Sequence, residues 1–218
     1  MAYILSIETA TTNCSVALSK DGKLLASKED YNTSYSHAER LHVFIEELLV
    51  SAEVSMQELS AIAVSKGPGS YTGLRIGVSA AKGLCYALEI PLISVPTLTA
   101  LAYQVQEEGL VIPMLDARRM EVYSAIFDAQ HQQIRETQAQ ILDETSFAEE
   151  LALGKVYFIG NGVEKFTEVC QHPNAVFIMD KLPSAKETSV LATAKYAQKD
   201  FEDVAYFEPY YLKDFKVG

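Results

Sequence analysis

The stretch KGPGSYTGLRIGVSAAKGL, residues 66–84, concentrates the residue types that hold phosphate, with Gly67, Pro68, Gly69 and Gly73 leading into a Gly- and Ala-rich helix. A P-loop needs G-x-x-x-x-G-K-[ST], with the Lys on phosphate and the Ser or Thr on Mg²⁺. Here five residues separate Gly67 from Gly73, and Leu74 and Arg75 stand where Lys and Ser belong. A dinucleotide fingerprint needs G-x-G-x-x-G, and Gly67, Gly69 and Gly73 are one residue too widely spaced. Both common nucleotide loops are excluded by spacing. A second reading is packing. Gly73, Gly77 and Ala81 recur every four residues, with Ala80 beside them and Leu84 and Leu88 continuing the row. Each interior glycine costs a helix ~1 kcal/mol relative to Ala, so close approach by a neighbour must compensate. That neighbour is either the rest of this chain or a partner helix.

Other polar turns could cradle phosphate. Thr9-Ala10-Thr11-Thr12-Asn13 separates two extended segments, as does Asp116-Ala117-Arg118-Arg119, and Gly160-Asn161-Gly162 follows a third. In two-lobed ATPases such hairpins face each other across a cleft, and a helix N-terminus meets the nucleotide. Each signal is weak alone, because polar turns are mostly only turns. His37 and His42 are five apart on one helix, about 140° around its axis, which suits surface or capping roles better than a shared metal. No nucleophile–base pair is evident, and the sequence suggests neither catalytic nor metal-ligating residues.

The elements that carry these turns form two similar series. Residues 2–8, 14–19 and 23–28 read as strands, the last two joined by the hairpin signal Asp21-Gly22. Residues 36–52 read as an amphipathic helix with apolar Leu41, Phe44, Ile45 and Leu48, capped by Ser36 with Glu39 completing a capping box. A strand over 61–65, a helix over 72–88, a strand over 91–95 and a helix over 97–107 follow. Then the pattern restarts: LVIPMLD ends in a carboxylate as YILSIE does, and each leads through a polar turn into an alternating strand. In this second series residues 135–140 read as a third extended segment, 146–153, 162–170 and 188–199 as helices, and 155–159 as a strand. The aromatic tail FEDVAYFEPYYLKDF is expected to pack on the body. The expected lobes are 1–108 and 109–218, with the C-terminal helix and tail able to return to the first.

Composition narrows the partners. With 218 residues and 49% apolar content a sizeable core is available. The net charge of −11 argues against binding nucleic acid alone. Cys14, Cys85 and Cys170 are widely spaced and odd in number, as expected of reduced thiols in the cytoplasm. The first residues read as a strand, not a signal peptide or membrane span.

The segments ILSIETATTNCSVAL, KGPGSYTGLRIGVSAAKGL, LDARRMEVYSAIFD and PYYLKDF together resemble the bacterial TsaB (YeaZ) family, in order along nearly the whole chain. The resemblance implies an α/β, two-lobed actin-like ATPase (ASKHA) fold, each lobe a mixed sheet with helices. It implies a role in forming N6-threonylcarbamoyladenosine in tRNA, next to the anticodon, as a non-catalytic subunit. The partners implied are a TsaD-type catalytic subunit, which carries an HxxxH site that this chain lacks, and a TsaE-type ATPase. A second copy is expected to pair with the isolated chain, and tRNA to be met only through the complex. The resemblance places the partner surface on the first two helices, at Leu41, Phe44, Ile45, Leu48, Gly73, Ile76, Gly77, Ala80, Ala81 and Leu84. Gly77→Leu or Ala81→Glu is then expected to abolish docking in a folded monomer. Any nucleotide site would be vestigial, at Thr9, Thr11, Thr12, Asp116, Arg118, Gly160 and Gly162. Glu8 stands where many actin-like ATPases have Asp, and Met120 where the family usually has Gly, both counting against efficient hydrolysis. The alternative is an independent actin-like ATPase or sugar-kinase-like enzyme.

Overall fold

The structure, a computed structural model, describes residues 1–31 and 37–213. Alternating apolar runs build two five-stranded mixed sheets. The first contains β1 (Tyr3–Glu8), β2 (Cys14–Lys20), β3 (Lys23–Asp30), β4 (Leu59–Ser65) and β5 (Leu92–Val95), in the order β3-β2-β1-β4-β5. β1, β2 and β3 form an antiparallel meander, and β4 and β5 continue in parallel. Asp21 and Gly22, with φ of 48° and 81°, make the turn between β2 and β3.

The second sheet repeats this plan with β6 (Leu110–Asp116), β7 (Glu121–Phe127), β8 (Gln133–Ile141), β9 (Val156–Ile159) and β10 (Ala175–Ile178), in the order β10-β9-β6-β7-β8. Its first three strands are again an antiparallel meander and its last two parallel. The restarted sequence pattern therefore corresponds to a repeated topology.

α1 (His37–Ser51) and α2 (Tyr71–Leu88) cover one face of the first sheet. Leu41, Ile45 and Leu48 of α1 and Val78, Ala81 and Cys85 of α2 pack with Leu5, Ile7, Val16, Leu18, Ile62 and Val64. Helical periodicity identified this apolar stripe of α1 but not its direction: it faces this chain's own sheet, where a partner surface was expected. The cap expected at Ser36 lies outside the described residues. α6 (Ala185–Gln198) packs against β1 and β2 of the same sheet. In the second sheet, α4 (Ala148–Leu153) and α5 (Val163–Thr167) pack through Leu151, Val163 and Phe166 around Phe147 and Phe158.

The compact units are Met1–Thr97 with residues 183–213, and Leu98–Leu182, so α6 and the tail return to the first unit, as the expected lobes allowed, while the division falls after Thr97 rather than after 108. The earlier boundary has a packing cause. α3 (Thr97–Ala102) commits Leu98, Leu101 and Ala102 to a cluster with Val111, Leu115, Phe127 and Ile159 of the second sheet. α3 also ends five residues sooner than its apolar pattern suggested, with Val105 continuing that cluster in a turn. Two elements escaped the sequence reading: the 3-10 turn Met56–Glu58 and β10, a four-residue edge strand only half buried.

Candidate functional site

The first polar turn, between β1 and β2, is closed by its own chain. Thr9 is fully buried, and its hydroxyl donates to the Gly73 carbonyl over 2.8 Å. The Ala10 carbonyl accepts the Ser70 N–H at 2.7 Å, and Thr11 O lies 2.7 Å from His37 Nε2. Ser70 caps α2 by accepting the Gly73 N–H at 3.3 Å. The glycines make this approach possible. A Cβ on Gly69 would lie 2.4 Å from Ala10 O, one on Gly73 2.1 Å from Thr9 O, and one on Gly77 2.2 Å from Thr9 Oγ1. Thr12 alone of the three threonines is half-buried.

Two titratable side chains are buried beside this turn. Glu8 is fully buried, with Oε1 accepting the Ala10 N–H and the Ser65 hydroxyl, each at 2.7 Å. Burial pushes its carboxyl up to about 7, against the pull of these donors, and Glu187 adds to the rise. His37 was expected at the surface or as a cap, yet it is 1% exposed and burial lowers its pKa. The Thr11 carbonyl holds the ring there; His42, five residues on, is exposed as expected.

The corresponding turn of the second sheet already holds a cation of its own. Lys165 Nζ lies 2.8 Å from Asp116 Oδ1 and donates also to the carbonyls of Arg119, at 2.5 Å, and Glu121, at 3.2 Å. Asp116 Oδ1 further accepts the Arg118 N–H at 2.6 Å. Arg118 and Arg119 take left-handed φ of 72° and 52° in this turn. Gly160 and Gly162 fit beneath the end of β6: a Cβ on Gly160 would lie 2.3 Å from Met114 O, and one on Gly162 2.8 Å from Val122 Cγ1. No sequence signal marked Lys165, because it lies 49 residues beyond Asp116. Among the described residues no group of three or more His, Cys, Asp or Glu is placed to hold a metal.

The second candidate is a groove of about 710 Å³ between α1 and α2. Its floor is small or apolar: Ala38, Thr72, Ile76, Ser79, Ala80, Gly83 and Leu84. Its rim carries His42, Tyr71 and Arg75. Among the described residues nothing lies within 4 Å of a Cβ position on Gly83, so its backbone is bare there. Arg75 Nη1 donates to the Tyr71 hydroxyl at 3.2 Å, and Tyr71 packs on Tyr211 of the tail with ring centroids 4.9 Å apart. Lys82 secures that tail by donating to the carbonyls of Ala205, at 3.2 Å, and Phe207, at 2.8 Å.

The expected interface residues therefore separate into two sets. Phe44, Ile76, Ala80 and Leu84 are partly exposed. Leu41, Ile45, Leu48, Gly73, Gly77 and Ala81 are buried in this chain's own core and present no side-chain surface. The glycine row thins α2 for Thr9, not for a visiting helix, and Gly77→Leu strikes the fold itself.

Relatives accord with this architecture. A family described as TsaD, tRNA N6-adenosine threonylcarbamoyltransferase, matches residues 31–217. A protein of Escherichia coli named tRNA threonylcarbamoyladenosine biosynthesis protein TsaB is 31% identical over 97% of this chain and 94% of its own length. The chain belongs to the TsaB (YeaZ) family. A TsaB of Bacillus subtilis is 38% identical across 57% of this chain and 54% of the relative. The solved structure of YeaZ from Pseudomonas aeruginosa superposes with a TM-score of 0.84 at 30% identity, covering 97% of this chain and all of that one. The actin-like ATPase fold extends to an activator of 2-hydroxyisocaproyl-CoA dehydratase from Clostridium difficile, at a TM-score of 0.50 and 11% identity over 93% of this chain and 98% of that one. Among the described residues no helix is long and apolar enough to cross a membrane.

Proposed function

We propose that this chain is a non-catalytic, activating subunit in the formation of N6-threonylcarbamoyladenosine in tRNA, docking on a TsaD-type catalytic subunit through the outer faces of α1 and α2. The groove between those helices carries the proposal. Its small-residue floor admits a helix closely, its exposed Gly83 backbone is uncovered among the described residues, and its rim of Tyr71 and Arg75 supplies the residue types that anchor interfaces. The names of the related proteins support the pathway. The contact residues in this reading are Phe44, Ile76, Ala80 and Leu84, with the buried leucines and glycines serving as scaffold.

The chain needs no nucleotide of its own in this role, a reading supported by the engagement of the Thr9 hydroxyl and of Asp116 Oδ1 by internal partners. Its net charge of −11 favours meeting tRNA through the complex. A TsaE-type ATPase joins the assembly, the isolated chain pairs with a second copy through the same groove, and all of this takes place in the cytoplasm. The test is co-purification of the Ile76→Asp/Ala80→Arg double variant with a purified TsaD-type subunit, alongside reconstituted tRNA modification. Loss of both with an unchanged circular dichroism spectrum is expected. Retained co-purification would overturn the docking assignment.

A further inference from the structure

α6 is attached to the first sheet by chemistry unlike that of α1 and α2. Its fully buried positions are Ala185, Thr188, Ser189 and Ala192, so it removes little apolar area from water. α1 buries Leu41, Ile45, Leu48 and Leu49 in the same unit. Strand alternation puts Leu5, Ile7, Val16, Leu18, Ile62 and Val64 on the α1–α2 face. The opposite face then carries Ser6, Glu8, Ser15, Ala17, Ala63 and Ser65, all buried.

Polar links fasten α6 to this unit. Ser15 Oγ accepts the Ala185 N–H at 2.9 Å, Asn13 Nδ2 donates to Pro183 O at 3.0 Å, and Lys195 Nζ donates to Ser94 O at 2.9 Å. Lys186 Nζ pairs with Glu29 Oε2 at 2.6 Å. Three buried atoms here, Ser6 Oγ, Glu8 Oε2 and Asn13 Oδ1, have no hydrogen-bond partner among the described residues. An orphaned carboxylate oxygen in a site closed to water is expensive when charged, and opening the site to water relieves that cost.

We propose that α6 is a pH-sensitive clasp, which ionisation of Glu8 loosens from the sheet by local opening as the pH rises through neutrality. Burial and the charge on α6 act in this sense, while the hydrogen bonds from Ala10, Ser65 and Thr9 oppose it without cancelling it. Glu187 on α6 opposes its negative charge, and so does any charge on the Cys14 thiol of β2, which is held neutral by burial. β4 offers the Ser65 hydroxyl, already spent on Oε1, and the turn after β1 offers the Ala10 N–H to the same oxygen and the Thr9 N–H, the weakest of the three in favouring the charged form. Among the described residues the charged group named as acting on Glu8 is Glu187, and Lys186 is engaged by Glu29. Closed, the carboxyl titrates at about 7; open to water, it returns to its ordinary value of 4.5. Opening therefore becomes easier from pH 4.5 to 7 and levels off above. The clasp does not depend on the docking reading.

Hydrogen exchange on the full-length protein tests it. Protection factors of α6 amides, corrected for intrinsic exchange, should fall at least about tenfold between pH 5.5 and 8. β4 amides should stay more protected than those of α6 throughout, and Glu8→Gln should abolish the pH response. An equal response in wild type and variant overturns the proposal. Direct titration of the wild-type Glu8 carboxyl by carbon-detected NMR decides the matter even where the variant fails to fold, since a midpoint below pH 5.5 also overturns it.

Discussion

The Thr9 hydroxyl and Gly77 occupy one space: Thr9 Oγ1 lies 2.2 Å from where a Cβ on Gly77 would stand. The same hydroxyl donates to the Gly73 carbonyl, so one turn of α2 is both held and thinned by the turn after β1. Gly77→Leu should destabilise the monomer by about 3 kcal/mol, because neither backbone nor a buried threonine can retreat in a packed interior. Ala80→Arg, one turn-face away in the open groove, should leave thermal unfolding within a few degrees of wild type while docking is lost. Comparing the two melting curves separates a fold residue from a contact residue.

Lys165 supplies the positive charge beside Asp116. Removing it as Lys165→Met should cost about 1 kcal/mol, a modest value because Asp116 keeps access to water. Denaturant unfolding measures that cost. If Lys165 is what closes the turn, isothermal calorimetry with ATP and Mg²⁺ should detect no micromolar binding to the wild-type chain.

Glu8 makes stability fall as the pH rises. Its carboxyl ionises near pH 7 folded and near 4.5 in the open chain, so the native state binds the extra proton between those values. Its contribution is fully present below pH 4.5, declines through the interval and is gone above about 7, a change of about 3 kcal/mol for this group. Glu8→Gln should flatten that part of the profile in urea titrations at pH 5, 6, 7 and 8.

The thiols should be slow to react in the folded protein. Burial pushes Cys14 up to about 11 and Cys85 up to about 12, so little thiolate exists at pH 8. A colorimetric thiol assay should therefore find these two cysteines inert until denaturant is added. Rapid native labelling of either would contradict their placement.

Local periodicity made much of the fold legible. The apolar rows of α1 and the alternation of β1, β2 and β7 reflect burial of one face, which sequence spacing records directly. β10 was not legible because AVFI is short, half-exposed and held by β9, a partner remote in sequence. The division before Leu98 was hidden for a similar reason. The apolar spacing of α3 says that a face is buried but not against which sheet. Lys165 meets Asp116 only through folding, so no motif could announce it.

The sequence by itself determined that residues 66–84 could not be either common nucleotide loop, because backbone spacing around phosphate is rigid. It also determined that the glycines of α2 needed a close neighbour. Only the tertiary structure decided which neighbour. Thr9 and Ala10, some sixty residues away along the chain, are carried by the β1–β4 pairing directly onto Gly69, Gly73 and Gly77. Long-range strand pairing, which local spacing does not encode, turned a candidate partner stripe into the inner seam of the fold and left the groove beside Gly83 as the open face.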